Sequence, residues 1–439
     1  MDKVWSSQIS QSDCELFLSG ISARALAAEF GTPTFFLDEQ DFRDRAQAWK
    51  GALVNSFGSS AGNVYYAAKA FICTEVARWV AQAGIGMDVC TGGELAVALA
   101  AGFPPERMQV HGNNKSISEI SQAIEVGVGV IVVDSLFEIT RVATIAKSQG
   151  KSQKILLRLT PGIEAHTHDS IATAHEDVKF GFSIASGAAW EAIVQVRRHP
   201  EIELVGFHSH IGSQILAMEA FGVAADRVIE LAAKFRDAFG YQLPELDLGG
   251  GYGIAYLPVD EPLFPEMVLP ALWEAVESAC AKYAIAIPKI SIEPGRAIVG
   301  PTMFTLYEIG TTKKVILEEG GERNYISVDG GMSDNIRTSL YGAQYTGVIA
   351  NRKCSEELAL SRVVGKHCET GDIVIREIYL PIDVRPGDLL AVPATGAYGR
   401  SMASNYNHVP RPPVVAVLNG KARVILRRET SADLLRLDM

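Results

Sequence analysis

Residues Val64–Cys90 read VYYAAKAFICTEVARWVAQAGIGMDVC. An apolar run ends at Lys69, apolar residues at helical spacing follow over Thr74–Ala83, and a second apolar run, Gly86–Cys90, carries Asp88. A strand, a helix and a strand in about 30 residues make one βαβ unit, whose strands lie parallel.

The same alternation runs on downstream. Further apolar runs are Met108–Gly112 (MQVHG), Val128–Asp134 (VGVIVVD), Lys154–Thr160 (KILLRLT), Leu204–Ile211 (LVGFHSHI), Glu245–Gly249 (ELDLG) and Lys289–Glu293 (KISIE), which with the opening pair make eight. Helix-patterned segments lie between them, among them Gly93–Ala101, Ile117–Glu125, Leu136–Gln149 and Phe221–Phe239. Continuous apolar strands separated by amphipathic helices predict a parallel sheet covered on its outer face. Eight units in about 250 residues is the size of a (β/α)8 barrel. The rival, an open doubly wound sheet, needs a glycine-rich phosphate turn after its first strand, and Lys69 is followed by none.

Past Gly300 the texture becomes β-like and turn-rich: Met303–Ile309, Tyr325–Val328, Ser361–Gly365, Ile373–Ile378, Leu389–Val392 and Ala422–Leu426. An early strand, Thr32–Leu37, is expected to join them. The expected fold class is α/β, a TIM-type barrel plus a second, mostly β domain. Its expected organisation is an N-terminal segment 1–41 in the β domain, the barrel at 42–300 and a C-terminal β-rich domain at 301–439.

Composition narrows the classes. The 439 residues are 48% hydrophobic and 21% charged, with a net charge of −11. No basic run tracks a phosphate backbone, so nucleic acid is not an expected partner. No stretch reaches the ~18 apolar residues that span a bilayer, and the start lacks the apolar core of a signal peptide. Six cysteines without regular spacing suit reduced thiols in the cytoplasm.

In such a barrel the reactive groups gather at the carboxyl ends of the strands. Lys69, Asp88, His111, His208, His210, Gly249–Gly251, Glu293 and Arg296 all fall there. Lys69 reads either as a rim lysine or as a Schiff-base lysine. LGGGYG (Leu248–Gly253) and EPGR (Glu293–Arg296) follow the seventh and eighth strands, where barrels often bind phosphate through free backbone N–H groups. Glu293 suits either an ion pair with Arg296 or a partner for a pyridine nitrogen, which would make that ring an electron sink. His210, Ser213 and Asp88 suit ring stacking, a hydrogen bond and charge tuning, or ordinary packing. The pair His208–His210 also suits a catalytic metal, but the other strand ends offer glycines and a glutamate rather than further ligands. In the β domain stand Arg337 and Tyr341, then His367–Asp372 with Cys368 and Glu369, then Gly396–Gly399 with Tyr398.

With these residues in view, the chain resembles the diaminopimelate decarboxylase family, of the alanine-racemase-like fold. YYAAKA, GMDVCTGGEL, HSHIGSQ, LDLGGGYG, EPGR, GGMSDNIR, KHCETGD and GAYGRSMASNYN occur in the family's order, over roughly residues 30 to 433. The resemblance implies pyridoxal 5'-phosphate bound through Lys69, with Asp88, His210, Ser213, Gly250, Gly251, Glu293, Gly295, Arg296 and Tyr398 around it. It implies substrate contacts from Arg296, Arg337, Tyr341, Glu369 and Tyr398. Cys368 matches the family's proton donor, which a partner subunit supplies across a homodimer interface. The implied reaction takes meso-2,6-diaminopimelate to L-lysine and CO2, without metal.

Two departures stand out. DNIRT replaces the family's DNPRP around Arg337, which removes two φ restraints, and Ala68 and Phe71 flank Lys69 where many members carry other residues. A decarboxylase of the same fold for ornithine, arginine, lysine or carboxynorspermidine is the nearest alternative. A racemase and a non-catalytic paralogue are further ones. The run Glu164–Lys179, with three histidines, is a candidate lid.

Overall fold

A computed structural model describes residues 3–162, 179–318 and 320–439. Apart from Lys179, the candidate lid lies outside them. The chain forms two compact units: Met1–Asp44 with Ile254–Pro262 and Ile298–Met439, and Arg45–Gly253 with Leu263–Ala297.

The second unit is the barrel. Its strands are Ala61–Ala67, Gly86–Val89, Met108–Val110, Val130–Val133, Gln153–Thr160, Ile202–Ser209, Glu245–Asp247 and Lys289–Ile292. All neighbours pair parallel in chain order, and the eighth strand pairs with the first through Ile290–Ala61 and Ile292–Val64. That pairing closes the sheet and rules out the open alternative. A short strand, Phe182–Ser183, adds to the edge of the fifth.

Local chemistry sets the barrel helices. Ser116 and Glu119 form a reciprocal capping box at Ile117–Val126, and left-handed Gly127 ends that helix. Thr91 and Ser135 accept the N–H of Glu94 and Glu138 at the starts of Gly92–Ala100 and Leu136–Ser148. Each cap satisfies a donor the helix cannot pair internally. The sixth strand bulges between Leu204 and Gly206, where a Cβ on Gly206 would lie 1.9 Å from the Glu245 carbonyl oxygen. Only glycine lets the sixth and seventh strands meet there.

The first unit is mostly β. A long strand, Met303–Ile316, pairs antiparallel with Thr34–Asp38, Leu389–Val392 and Glu322–Val328. The N-terminal strand Thr34–Asp38 also pairs with Val414–Leu418. Its Phe36 stacks on Phe304 at 5.5 Å, inside a buried cluster with Leu306, Val415 and Val417. Sequence reasoning did not pick out Val414–Leu418, nor the small sheet of Ile9–Ser12, Glu15–Leu18 and Ile21–Ser22.

Candidate active site

The barrel places its polar residues on one rim. Lys69 sits in a 3-10 turn, Ala68–Ala70, directly after the first strand. It is exposed while Ala68 and Ala70 are buried, so its side chain is not enclosed with theirs. Its charge acts on Asp88, whose pKa burial raises and whose neighbours His111 and Lys69 partly restore.

Inside the rim lies a buried polar cluster. Oε1 of Glu293 lies 3.1 Å from Nε2 of His111 and 3.2 Å from Nε2 of His208. Neither contact is aligned as a hydrogen bond, so this oxygen has no aligned donor among the described residues. Burial by itself raises the Glu293 pKa, but the two imidazoles outweigh it and hold the carboxyl well below the usual range. Burial pushes His208 down to about 4, so at neutral pH that ring is uncharged. The imidazoles meet nearly edge-on, with centroids 4.9 Å apart.

His208 and His210, paired in the sequence as HxH, take separate partners. His210 accepts the backbone N–H of Gly250 on Nδ1 at 3.2 Å. Its pKa falls well below the ordinary value, because surrounding atoms desolvate the ring and Lys69 and Arg158 add positive charge. Among the described residues, those with metal-ligand spacing are instead His111, His208 and Glu293, whose ligand atoms lie within 4.8 Å of one another.

The glycine turn packs under the eighth strand. A Cβ on Gly250 would stand 2.1 Å from the Glu293 carbonyl oxygen, and one on Gly251 2.3 Å from that of Gly212. Gly249 and Gly251 also take φ of 68° and 109°, the left-handed side that side chains disfavour. Gly295 allows equally close approach to Ala67, 2.7 Å from its Cβ. Buried Arg296 donates from Nη2 to Ser213 Oγ at 2.8 Å.

The β unit carries a second constellation. Arg337 begins the short helix Arg337–Tyr341 and is buried. Its guanidinium donates to the Tyr345 hydroxyl and lies 4.6 Å from the centre of the Tyr256 ring. Sequence reasoning missed both tyrosines. Tyr398 takes φ of 61°, a strained conformation for a non-glycine residue, of the kind that gathers at functional sites. Asp372 accepts the N–H groups of Met332 at 2.6 Å and His367 at 2.8 Å. It thereby ties the GGMSDNIR segment, at Met332, to the base of the loop bearing Cys368 and Glu369. His367 is buried against Ser333 Oγ at 2.8 Å, whereas Cys368 and Glu369 are exposed.

Residues 39–300 match the family model described as "Pyridoxal-dependent decarboxylase, pyridoxal binding domain". The diaminopimelate decarboxylase of Mycobacterium tuberculosis (strain ATCC 25618 / H37Rv) is 53% identical over 426 residues, 96% of this chain and 94% of that one. The chain belongs to the diaminopimelate decarboxylase family. The diaminopimelate decarboxylase of Bacillus subtilis (strain 168) is 45% identical over 97% of this chain and 95% of its own. A solved structure of the M. jannaschii diaminopimelate decarboxylase, in co-complex with L-lysine, superposes with a TM-score of 0.88 at 29% identity. It covers 99% of this chain and 98% of that one. No helix among this chain's described residues is long and apolar enough to cross a membrane.

Proposed function

We propose that this chain decarboxylates meso-2,6-diaminopimelate to L-lysine and CO2, with pyridoxal 5'-phosphate held at the barrel mouth. The observation that carries the reading is Glu293: a buried carboxylate, kept ionised, whose Oε1 lacks an aligned donor on the same rim as exposed Lys69. That oxygen suits a protonated ring nitrogen. Lys69 would hold the cofactor covalently, His210 would cover its ring face, and Asp88 would tune the charge beside Lys69. Gly250, Gly251, Ser213, Gly295 and Arg296 would take its phosphate side, and Tyr398 would complete the set. When bound, the cofactor supplies an electron-withdrawing ring that accepts the electron pair left by CO2.

The rest falls to the chain's own side chains. Arg337 is a buried, permanently charged donor, and its Nε lacks a hydrogen-bond partner among the described residues, which suits the distal carboxylate of the substrate. Glu369 suits the distal ammonium, with Tyr341, Tyr398 and Arg296 beside the substrate. The Cys368 thiol would deliver the proton to the substrate carbon that lost CO2. Exposure of Cys368 and Glu369 supports their being offered to a partner copy, in a homodimer whose sites each draw on both chains. Six free thiols suit the reducing cytoplasm.

The test is CO2 release from meso-diaminopimelate, L-lysine and L-ornithine under one set of conditions. We expect diaminopimelate turnover to exceed the others by at least about a hundredfold, as a site built for a distal charged pair should. Comparable turnover of ornithine would replace this reading with the related-decarboxylase one.

A further inference from the structure

The barrel interior contains a hydrogen-bonded chain that the mechanism above leaves unused. Gln109, on the third strand, donates from Nε2 to Oδ2 of Asp247 at 3.1 Å. Its donors being turned to that carboxyl, its Oε1 is left as an acceptor. Nε2 of His111 lies 3.1 Å from this Oε1, so the His111 proton sits on Nε2. The same nitrogen lies 3.1 Å from Glu293 Oε1, out of hydrogen-bond alignment, and 3.8 Å from Asp88 Oδ1. At the other end, Asp247 Oδ1 accepts the N–H of Gly249 at 2.8 Å. One hydrogen-bonded chain thus runs from the glycine turn through Asp247 and Gln109 to His111, which lies against Glu293, and every side chain in it is buried.

We propose that His111 is a positioning residue for the decarboxylation: locked by Gln109 and Asp247, its Nε2 edge stays against Glu293 and favours the carboxylate form that would face the ring nitrogen of the cofactor. This rests on the pyridoxal phosphate reading above. The groups facing the cluster are Asp88, Asp247, His208, His210, Cys90, Glu94 and Glu293 itself, with Lys69 acting on Asp88, Glu94 and His210 and Arg158 on His208 and His210. Asp88 and Asp247 repel charge on Glu293. His208 is within reach, but both its ring nitrogens lack a hydrogen-bond partner among the described residues, so nothing fixes its tautomer. Of the two imidazoles against Glu293, His111 alone has its proton placed by a second bond. Without it, Glu293 would relieve the repulsion by taking up a proton, and a neutral carboxylic acid does not keep a pyridine nitrogen protonated.

The test reconstitutes the parent, His111→Asn and Gln109→Met with pyridoxal phosphate carrying 15N at the ring nitrogen. The 15N shift is followed from about pH 6 to about pH 9, alongside kcat and KM for meso-diaminopimelate. We expect the parent ring nitrogen to stay protonated throughout. In His111→Asn it should lose its proton within the window, with kcat down at least about tenfold and KM within about twofold. Gln109→Met keeps the imidazole but unlocks it, and should move the ring titration the same way by less. A His111→Asn enzyme whose ring nitrogen and kcat profile match the parent would overturn the proposal. If that variant takes up no cofactor, an unchanged ring titration in Gln109→Met overturns it instead. A parent that binds no pyridoxal phosphate overturns the cofactor reading, and this inference with it.

Discussion

The backbone N–H of Gly250 donates to Nδ1 of His210 across 3.2 Å, joining the glycine turn after the seventh strand to the end of the sixth. An imidazole that accepts on Nδ1 carries its proton on Nε2, and its lowered pKa keeps it neutral. His210 therefore holds the turn with one edge and keeps an uncharged ring face for stacking.

His210→Asn separates these two tasks, since an amide oxygen can still accept from Gly250. We expect a melting temperature near that of the parent. Affinity for pyridoxal phosphate should fall about five- to tenfold, the worth of one stacked ring. Equilibrium dialysis of cofactor from the two proteins measures it, and equal affinities would remove the stacking role.

Gly250→Ala should be far more damaging. Its Cβ would stand 2.1 Å from the Glu293 carbonyl oxygen, a backbone atom that cannot swing aside. We expect a loss of about 2–4 kcal/mol and depleted cofactor. Gly51→Ala serves as the contrast, because it lies in the helix Glu39–Phe57 and its Cβ meets nothing within 4 Å. That change should leave stability equal or raise it by up to about 1 kcal/mol. Urea unfolding of the pair decides whether close packing or mere glycine loss is responsible.

These residues were legible in the sequence because local pattern places them: an apolar strand ends at Lys69, a triple-glycine turn follows another, and Glu293 ends a third. Gln109 and Asp247 were not. They are 138 residues apart, and their meeting depends on which barrel strands point which side chains inward, a property of closure rather than of spacing. Tyr256 shows the same gap differently. It follows the glycine turn and reads as part of a barrel loop, yet Ile254–Pro262 groups with the β unit, where Tyr256 packs against Arg337 and Tyr345. The strand Val414–Leu418 is wholly apolar because both of its faces are buried, so it lacks the alternation that marks a half-exposed strand. The exposure of Lys69 was likewise hidden, because the turn that lifts it out begins only at Ala68.

Asp334 gives the chain a pH-dependent contribution to stability. The Tyr307 hydroxyl and the Gly331 N–H donate to it, but burial dominates and raises its pKa from 3.8 to about 7. A carboxyl raised in the folded state stabilises most below its unfolded pKa of 3.8, and that contribution is lost as pH rises through about 7. The stability gap between the parent and Asp334→Asn should therefore be widest near pH 4 and shrink towards pH 7. Each pH step of one between those limits removes about 1.4 kcal/mol at most. Above pH 7 the gap should be flat. Urea unfolding at stepped pH and constant ionic strength tests this, and a gap that stays constant across the window would mean Asp334 ionises as an ordinary surface carboxyl does.

Cys368 sits exposed on a loop whose base is clamped by Asp372 and His367, so its thiol is presented outward while its backbone is held. Cys368→Ala should thus bind pyridoxal phosphate normally and melt like the parent, with turnover down by about a hundredfold or more, the usual worth of a positioned acid. Lys69→Ala should lose the cofactor adduct that borohydride traps, and with it all turnover. Each variant alone is then inactive for a different reason. If the thiol serves the partner's barrel, mixing and reassembling the two variants yields mixed dimers with one intact site, for an overall recovery of about a quarter of parental activity. If the thiol serves its own barrel, every site in the mixture lacks one group and no activity returns. Recovery measured after co-refolding, against each variant refolded alone, separates the two arrangements.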